Sequence, residues 1–169
     1  MDMIRMIGKS MLSNLDRLMH FKEVQAHCDI PCGIYDPHQA QVAAHTVLRM
    51  DMLIADLVKA NDMGPDSRNK MVRYITVKEQ HAEVVKREVA IIWGDYGKPE
   101  YTTPETHALV WSIMKAASKA KQDTNPESAR DLLKKVEEFA EWFWKTKTVA
   151  TKRTKAAYPT NEEIVMPQL

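Results

Sequence analysis

The chain has 169 residues, which is enough for one domain with a sizeable hydrophobic core. Its 24 lysines and arginines nearly balance its 23 aspartates and glutamates, so overall charge does not point to nucleic acid or an anionic membrane as a partner. No apolar run approaches the roughly 20 residues that a membrane-spanning helix requires.

Residues 1–26 are rich in methionine and place apolar side chains at helical spacing between basic ones, which predicts a short amphipathic helix. The apolar positions are Ile4, Ile7, Met11, Leu15 and Leu18. The interleaved charges exclude the continuous apolar core of a secretory signal, although residues 24–26 resemble a small-residue cleavage site. This segment is either a leader that is removed or a first helix that packs on the domain.

Residues 27–37, with the sequence HCDIPCGIYDP, contain both cysteines of the chain. His27, Cys28 and Cys32 place an imidazole and two thiols within six positions, which indicates a metal or redox site, here called the hook. A disulfide between cysteines separated by three residues would close too small a loop to stabilise the fold. We therefore expect local thiol chemistry in a cytoplasmic protein rather than a secreted disulfide scaffold.

Four amphipathic helices are predicted after the hook, three of them opened by a polar cap followed by proline. The first starts at Asp36-Pro37 and runs to about Asn61, and the second runs from about 66 to 93 with Lys78 interrupting its apolar stripe. Residues 94–99 are predicted to form a loop. The third and fourth helices open at Thr103-Pro104 and Asn125-Pro126.

Short connections and heptad-like spacing predict an all-α fold, an antiparallel up-and-down four-helix bundle with the metal-binding hook at its N-terminal side. No run alternates in the manner of a β-strand. Residues 149–169 have little apolar periodicity and are expected to form a loosely held tail. The predicted organisation is a leader at 1–26, hook and bundle at 27–148, and a C-terminal tail at 149–169.

The ligand types in the hook leave several outcomes open. A closed structural zinc site needs four ligands, so zinc would recruit one of three further histidines, His20, His38 or His45. Square-planar nitrogen and sulfur donors favour nickel(II) or copper(II), and thiolates readily reduce copper(II). On spacing alone, a short-range disulfide or two reduced thiols without a metal is the commoner outcome. The zinc alternative is a nonenzymatic helical bundle whose leader is a docking helix.

Cleavage between Ala26 and His27 would change the donor set. His27 would then offer its α-amine as well as its imidazole, and the amine, the Cys28 amide nitrogen and the Cys28 sulfur would form consecutive small chelate rings. The Cys32 sulfur would complete the plane, brought round by the turn at Pro31. Thiolate and deprotonated amide are strong anionic donors that stabilise a trivalent metal, so such a site could exchange single electrons.

Residues 27–37 match H-C-D-x-P-C-G-x-Y-D-P at every fixed position and resemble the nickel hook of nickel-containing superoxide dismutases. Residues 77–80, 93–99 and 143–147 also resemble that family, so the resemblance extends over about residues 27–147. It implies a four-helix bundle assembled as a homohexamer and a precursor whose leader is removed by a dedicated peptidase. The implied antioxidant activity is the disproportionation of superoxide to dioxygen and hydrogen peroxide.

The resemblance also implies which groups bind nickel. They are the His27 amine and imidazole, the Cys28 amide and thiolate, and the Cys32 thiolate. The imidazole is expected to bind in the oxidised state and to leave in the reduced state.

The substrate pocket implied by the resemblance is formed by Asp29, Pro31, Tyr35 and Tyr96. Tyr35 also counts among the catalytic residues, and Tyr35, bound water or a ligand thiol could supply the protons. Pro31 would fix the turn of the hook.

Two positions depart from the family pattern. Family members hold the axial imidazole with a glutamate and an arginine, where this chain has Ala43 and His81, and His81 is the candidate replacement. Without the leader the chain would be formally neutral, so attraction of the superoxide anion would have to be local, with Lys98 and Lys78 as candidates.

Overall fold

The computed structural model describes residues 33–62 and 64–169. The chain divides into two units, residues 1–34 and residues 35–169, and every helix and strand described here belongs to the second. The helices are α1 (His38–Ala60), α2 (Pro65–Ile91), α3 (Pro104–Gln122) and α4 (Pro126–Thr146). A π-helix (Ile92–Tyr96) extends α2, and two strands, β1 (Thr151–Lys155) and β2 (Glu163–Pro167), follow α4. The leader and the hook ligands lie outside the described residues.

The predicted helix starts are confirmed to within two residues. Thr103 and Asn125 cap α3 and α4 by accepting backbone N–H bonds on their side-chain oxygens at 3.4 and 3.1 Å, and each is followed by proline. Helix α1 begins at His38 rather than Pro37, and the Asp36 carboxylate accepts the His38 N–H at 2.7 Å. The chain leaving the hook therefore enters α1 through a short polar turn.

The four helices pack as a ring in which α1 contacts α2 and α4, and α3 contacts the same two helices. This confirms the predicted four-helix bundle. Small and branched side chains fill the core, which includes Ala40, Val47, Ala82, Val85, Val89, Ile113, Ala117, Leu132, Phe139 and Phe143. None of the described helices is long and apolar enough to span a membrane.

The interruption of the apolar stripe on α2 is explained by a buried ion pair. Lys78 is only 2% exposed, and its Nζ donates to Oδ1 of Asp51 on α1 at 2.8 Å and to the backbone oxygen of Asp123. The pair joins α1, α2 and the turn before α4. The suggestion that Lys78 attracts the anion at the surface is therefore wrong, because its charge is buried and neutralised.

The predicted loop at 94–99 is partly wrong, because Ile92–Tyr96 forms a π-helix. The Gly97 N–H donates to the oxygen of Ile92 at 3.2 Å, five residues back, as in a π-turn. A Cβ at Gly97 would lie 2.3 Å from the Trp93 carbonyl oxygen, so only glycine fits there. The π-turn thus fixes the position of Tyr96 at the end of the extended helix.

The prediction of a loosely held tail is also wrong. β1 and β2 form an antiparallel hairpin in which Arg153 pairs with Val165, and Ile164 and Val165 are buried. Gln41 of α1 binds the backbone of Val165 twice, accepting its N–H at 2.8 Å and donating to its oxygen at 3.1 Å. The hairpin, defined as residues 151–167, is therefore packed on the bundle.

Two further polar contacts hold the hairpin. Both ring nitrogens of buried His45 on α1 are engaged, one by the Thr160 hydroxyl at 2.9 Å and one by the Glu163 backbone oxygen at 3.0 Å. On α4, Glu137 and Glu141 bind the guanidinium of Arg153 from β1. These side chains explain why residues with little apolar periodicity still form an ordered element.

Candidate functional site

The last residues of the hook, 33–37, lead directly into α1. Gly33 has a φ of +71°, in the left-handed region that favours glycine, which gives a physical reason for the glycine after Cys32 in the motif. Asp36 then caps the turn before α1. Across residues 33–62 and 64–169, no three His, Cys, Asp or Glu side chains gather as a metal site.

Tyr35 and Tyr96, both predicted pocket residues, lie next to each other. Their ring centroids are 5.5 Å apart at an interplanar angle of 49°. Tyr96 also packs against Phe143 of α4, with centroids 5.0 Å apart. The entry to α1, the π-turn and the end of α4 therefore meet at one aromatic cluster. The catalytic roles of these residues stay predictions.

The phenol of Tyr96 is anchored at the C-terminal end of α4. Its Oη atom lies 2.6 Å from Oγ1 of Thr146, and that hydroxyl donates to the backbone oxygen of Phe143, also at 2.6 Å. The Lys147 ammonium lies 5.1 Å from the Tyr96 ring centroid and 5.2 Å from that of Phe143, which places a cation over the aromatic cluster.

Tyr101 belongs to the same cluster and was not predicted. Its ring stacks on Tyr96 with centroids 5.5 Å apart, and its hydroxyl donates to the Tyr96 backbone oxygen at 3.3 Å. Burial, the hydrogen bond with Tyr96 and the nearby Glu100 raise the pKa of Tyr101 to about 12. Tyr101 therefore keeps its proton and acts as a fixed donor. Only its proximity in sequence to the 93–99 segment could have suggested it.

The two departures from the family pattern lie on neighbouring helices. Ala43 is buried on α1 and offers no polar atom. His81 is half-buried on α2, and its Nδ1 lies 2.8 Å from the backbone oxygen of Val77. Because a carbonyl oxygen only accepts, Nδ1 carries a proton, and in the neutral form of the ring Nε2 is then the hydrogen-bond acceptor.

The described histidines give no support to a zinc site. His45 cannot supply a fourth ligand without breaking its bonds to Thr160 and Glu163. His38 is exposed at the start of α1, and its backbone N–H is held by Asp36. Lys98, the second candidate for attracting the anion, is exposed.

Comparison with known proteins decides the family. A sequence profile for nickel-containing superoxide dismutase matches residues 22–147, about three quarters of the chain, including the whole hook. The chain belongs to the nickel-containing superoxide dismutase family. Two relatives named "Superoxide dismutase [Ni]" support this: that of Streptomyces seoulensis is 38% identical over 127 residues, covering 74% of this chain and 91% of the relative. That of Streptomyces coelicolor is 37% identical over 126 residues, covering 73% and 90%.

Solved structures of the family agree with this fold. The native structure of a nickel superoxide dismutase is 36% identical with a TM-score of 0.62, and covers 72% of this chain and 99% of its own. A structure with nickel ligation of the oxidised state is 35% identical with a TM-score of 0.64 and the same coverage. Family membership disfavours the zinc-binding alternative. The hairpin lies beyond the residues that the family profile matches.

Proposed function

We propose that this protein is a nickel-dependent superoxide dismutase, an oxidoreductase that converts two superoxide anions and two protons into dioxygen and hydrogen peroxide. The observation that carries the proposal is the complete hook motif at residues 27–37, lying within the 126 residues matched by the family profile. A four-helix bundle by itself would not support this function, because the same fold serves unrelated functions.

The donor set fits nickel. After cleavage between Ala26 and His27, the chain would offer the His27 amine and imidazole, the Cys28 amide and thiolate, and the Cys32 thiolate. Nitrogen and thiolate donors of this kind suit divalent nickel. When bound, nickel supplies the one-electron exchange that dismutation requires. The uncleaved chain lacks the amine, so we regard residues 1–26 as a leader and the full sequence as a precursor.

The protein side chains supply the pocket and the protons. Asp29 would shape the substrate pocket and Pro31 would fix the turn of the hook, while Tyr35 and Tyr96 form a wall whose rings are in contact. Tyr35 is the proposed proton donor, by itself or through water. Lys147, over the ring of Tyr96, adds a positive charge that favours the approach of an anion.

His81 is the proposed partner of the His27 imidazole. Its Nδ1–H donates to Val77, so Nε2 is a hydrogen-bond acceptor of the kind that can orient an imidazole N–H. The buried methyl group of Ala43 cannot take part. This arrangement would replace the charged pair of other family members with a single histidine.

The resemblance of the sequence to the family supports a maturation step and a homo-oligomeric assembly. A leader-processing peptidase would expose His27, the mature protein would assemble as a homohexamer, and the enzyme would act in the cytoplasm. Neither nucleic acid nor membrane is a proposed partner.

The test combines N-terminal sequencing, elemental analysis and a superoxide dismutation assay on the protein purified from nickel-supplied cells. We expect His27 as the first residue, about one nickel per chain and rapid dismutation. Active protein that retains residues 1–26 would refute the proposed ligand set, and stoichiometric zinc without activity would refute the function.

Variants of the hook separate the roles of its ligands. Cys28→Ser and Cys32→Ser should each abolish nickel binding and activity, because each would remove a thiolate donor to nickel. His27→Ala should keep some nickel through the amine, the amide and the thiolates, but lose most of the turnover. Undiminished activity in a cysteine variant would contradict its assignment as a ligand.

A further inference from the structure

The hydrogen bonds around Thr146, the last residue of α4, have a direction that can be deduced by counting protons. A threonine hydroxyl has one proton, and the Thr146 Oγ1 atom lies 2.6 Å from both the Phe143 backbone oxygen and the Tyr96 Oη atom. A carbonyl oxygen only accepts, so the Thr146 proton points to Phe143. Tyr96 must then be the donor in its contact with Thr146.

The result is a chain that runs one way, from the Tyr96 hydroxyl to the Thr146 hydroxyl and on to the Phe143 oxygen. The opposite direction would leave two oxygen atoms 2.6 Å apart, at Thr146 and Phe143, with no proton between them. Successive hydrogen bonds of one direction polarise each other, which makes the Tyr96 oxygen a better acceptor. This chain of hydrogen bonds ends at the backbone carbonyl of Phe143, which cannot pass a proton on.

The surroundings of Tyr96 keep its ring in this orientation. Tyr101 stacks on the ring and donates to the Tyr96 backbone, and Trp142 donates through Nε1 to the Tyr101 backbone oxygen at 3.1 Å. The π-turn at Gly97 fixes the backbone that carries the phenol. The phenol therefore has one hydrogen-bonding direction available to it.

We propose that Thr146 is a positioning residue that commits the proton of Tyr96 to α4, so that Tyr96 offers only acceptor oxygen lone pairs to substrate and water. This inference rests on the proposed dismutase function and deepens it. The protons that superoxide dismutation consumes then come from Tyr35 or water and not from Tyr96. The two neighbouring tyrosines have different roles although their rings are in contact.

The direction of the hydrogen bond can be tested without metal or activity. Ultraviolet resonance Raman spectra distinguish a tyrosine hydroxyl that donates from one that accepts, by the intensity ratio of its Fermi doublet. The spectrum of the full chain minus that of Tyr96→Phe isolates Tyr96. We expect a donor signature that is kept in Thr146→Ser and lost in Thr146→Val, which removes the hydroxyl at similar volume.

An acceptor-only signature in the unsubstituted protein would overturn the proposal, and so would a donor signature that survives in Thr146→Val. Circular dichroism shows whether the variants fold. If Thr146→Val does not fold, two other measurements still decide the direction of the hydrogen bond: the difference spectrum that isolates Tyr96 in the unsubstituted protein, and the spectrum of the Thr146→Ser variant.

The functional part is tested on nickel-loaded mature protein. Turnover of Thr146→Val should fall by up to about tenfold, the factor for losing one hydrogen bond, with a changed pH profile, and Thr146→Ser should restore both. Unchanged turnover and pH profile in Thr146→Val would overturn the positioning role. If the unsubstituted loaded protein does not dismutate superoxide, the proposed function fails, and the Raman result still decides the direction of the bond.

Discussion

Replacing Glu137 with glutamine should change the pH dependence of stability. Glu137 is only 5% exposed on α4 and accepts a 2.7 Å hydrogen bond from Arg153 of the hairpin. Burial raises the pKa of Glu137 to about 7, although Arg153 opposes this, and three nearby carboxylates raise it further: Glu163, Glu141 and Glu162. The ordinary pKa, expected in the unfolded chain, is 4.5.

The sign of the effect follows from proton binding. Between pH 4.5 and about 7 the folded chain holds a proton on Glu137 that the unfolded chain has released. The contribution of Glu137 to the free energy of unfolding should therefore fall as pH rises through this range and level off above it. A pKa difference of this size corresponds to about 3 kcal/mol. Glutamine is neutral throughout, so Glu137→Gln should remove this loss and be the more stable protein at pH 8.

The assay is urea denaturation followed by circular dichroism at intervals from pH 4.5 to 8, on the full chain without metal. The difference between the two proteins isolates Glu137, because other titrating groups cancel. Glu141→Gln is the matched control, since it also loses a contact with Arg153 but retains Glu137 and most of the slope. Parallel stability curves for the unsubstituted protein and Glu137→Gln would refute the reasoning.

Two other substitutions test the buried polar contacts by the same denaturation assay. Lys78→Met should lower the free energy of unfolding by about 3–5 kcal/mol, because Asp51 is fully buried and would lose its partner. Adding Asp51→Leu should recover most of that loss, and a double variant as unstable as the single one would contradict the explanation. Gln41→Ala should cost about 1–3 kcal/mol by leaving the buried backbone of Val165 unpaired. Gln39→Ala, at an exposed position of the same helix, is its control, and equal effects of the two substitutions would show that the Gln41 hydrogen bonds to Val165 are unimportant.

The helices could be predicted from sequence because their signals are local. A polar cap followed by proline marks the starts of α3 and α4, and apolar spacing marks the buried faces. The ion pair between Asp51 and Lys78 could not be predicted, because the two residues lie on different helices and a lysine in an apolar stripe looks like an interruption. The ion pair can be recognised only once it is known that α1 and α2 pack against each other.

The hairpin has no strong sequence signal. β1 reads TKRTK, which is polar throughout, and β2 offers only Ile164 and Val165 to the core. Its order depends on side chains of the bundle more than 100 residues away, Gln41 and His45, which no local pattern connects to it. Short strands of this kind are specified by tertiary contacts more than by propensity.

The candidate site also has one part that could be predicted from the sequence and one part that could not. The hook is a contiguous motif, so its ligands could be proposed from eleven residues. Tyr101 and Thr146, by contrast, act through contacts with Tyr96 from two separate elements. A tyrosine in a loop and a threonine at a helix end carry no chemical signal until the fold brings them to the same ring.

The hairpin is held by two buried titratable groups whose effects on stability have opposite signs. Burial lowers the pKa of His45, so the unfolded chain binds a proton first as pH falls below 6.5, and stability falls with it. The contribution of Glu137 to the free energy of unfolding falls as pH rises from 4.5 to about 7. Below pH 6.5, where both groups contribute, the two slopes oppose each other. Removing Glu137 should then reveal the His45 slope, with stability increasing as pH rises to about 6.5.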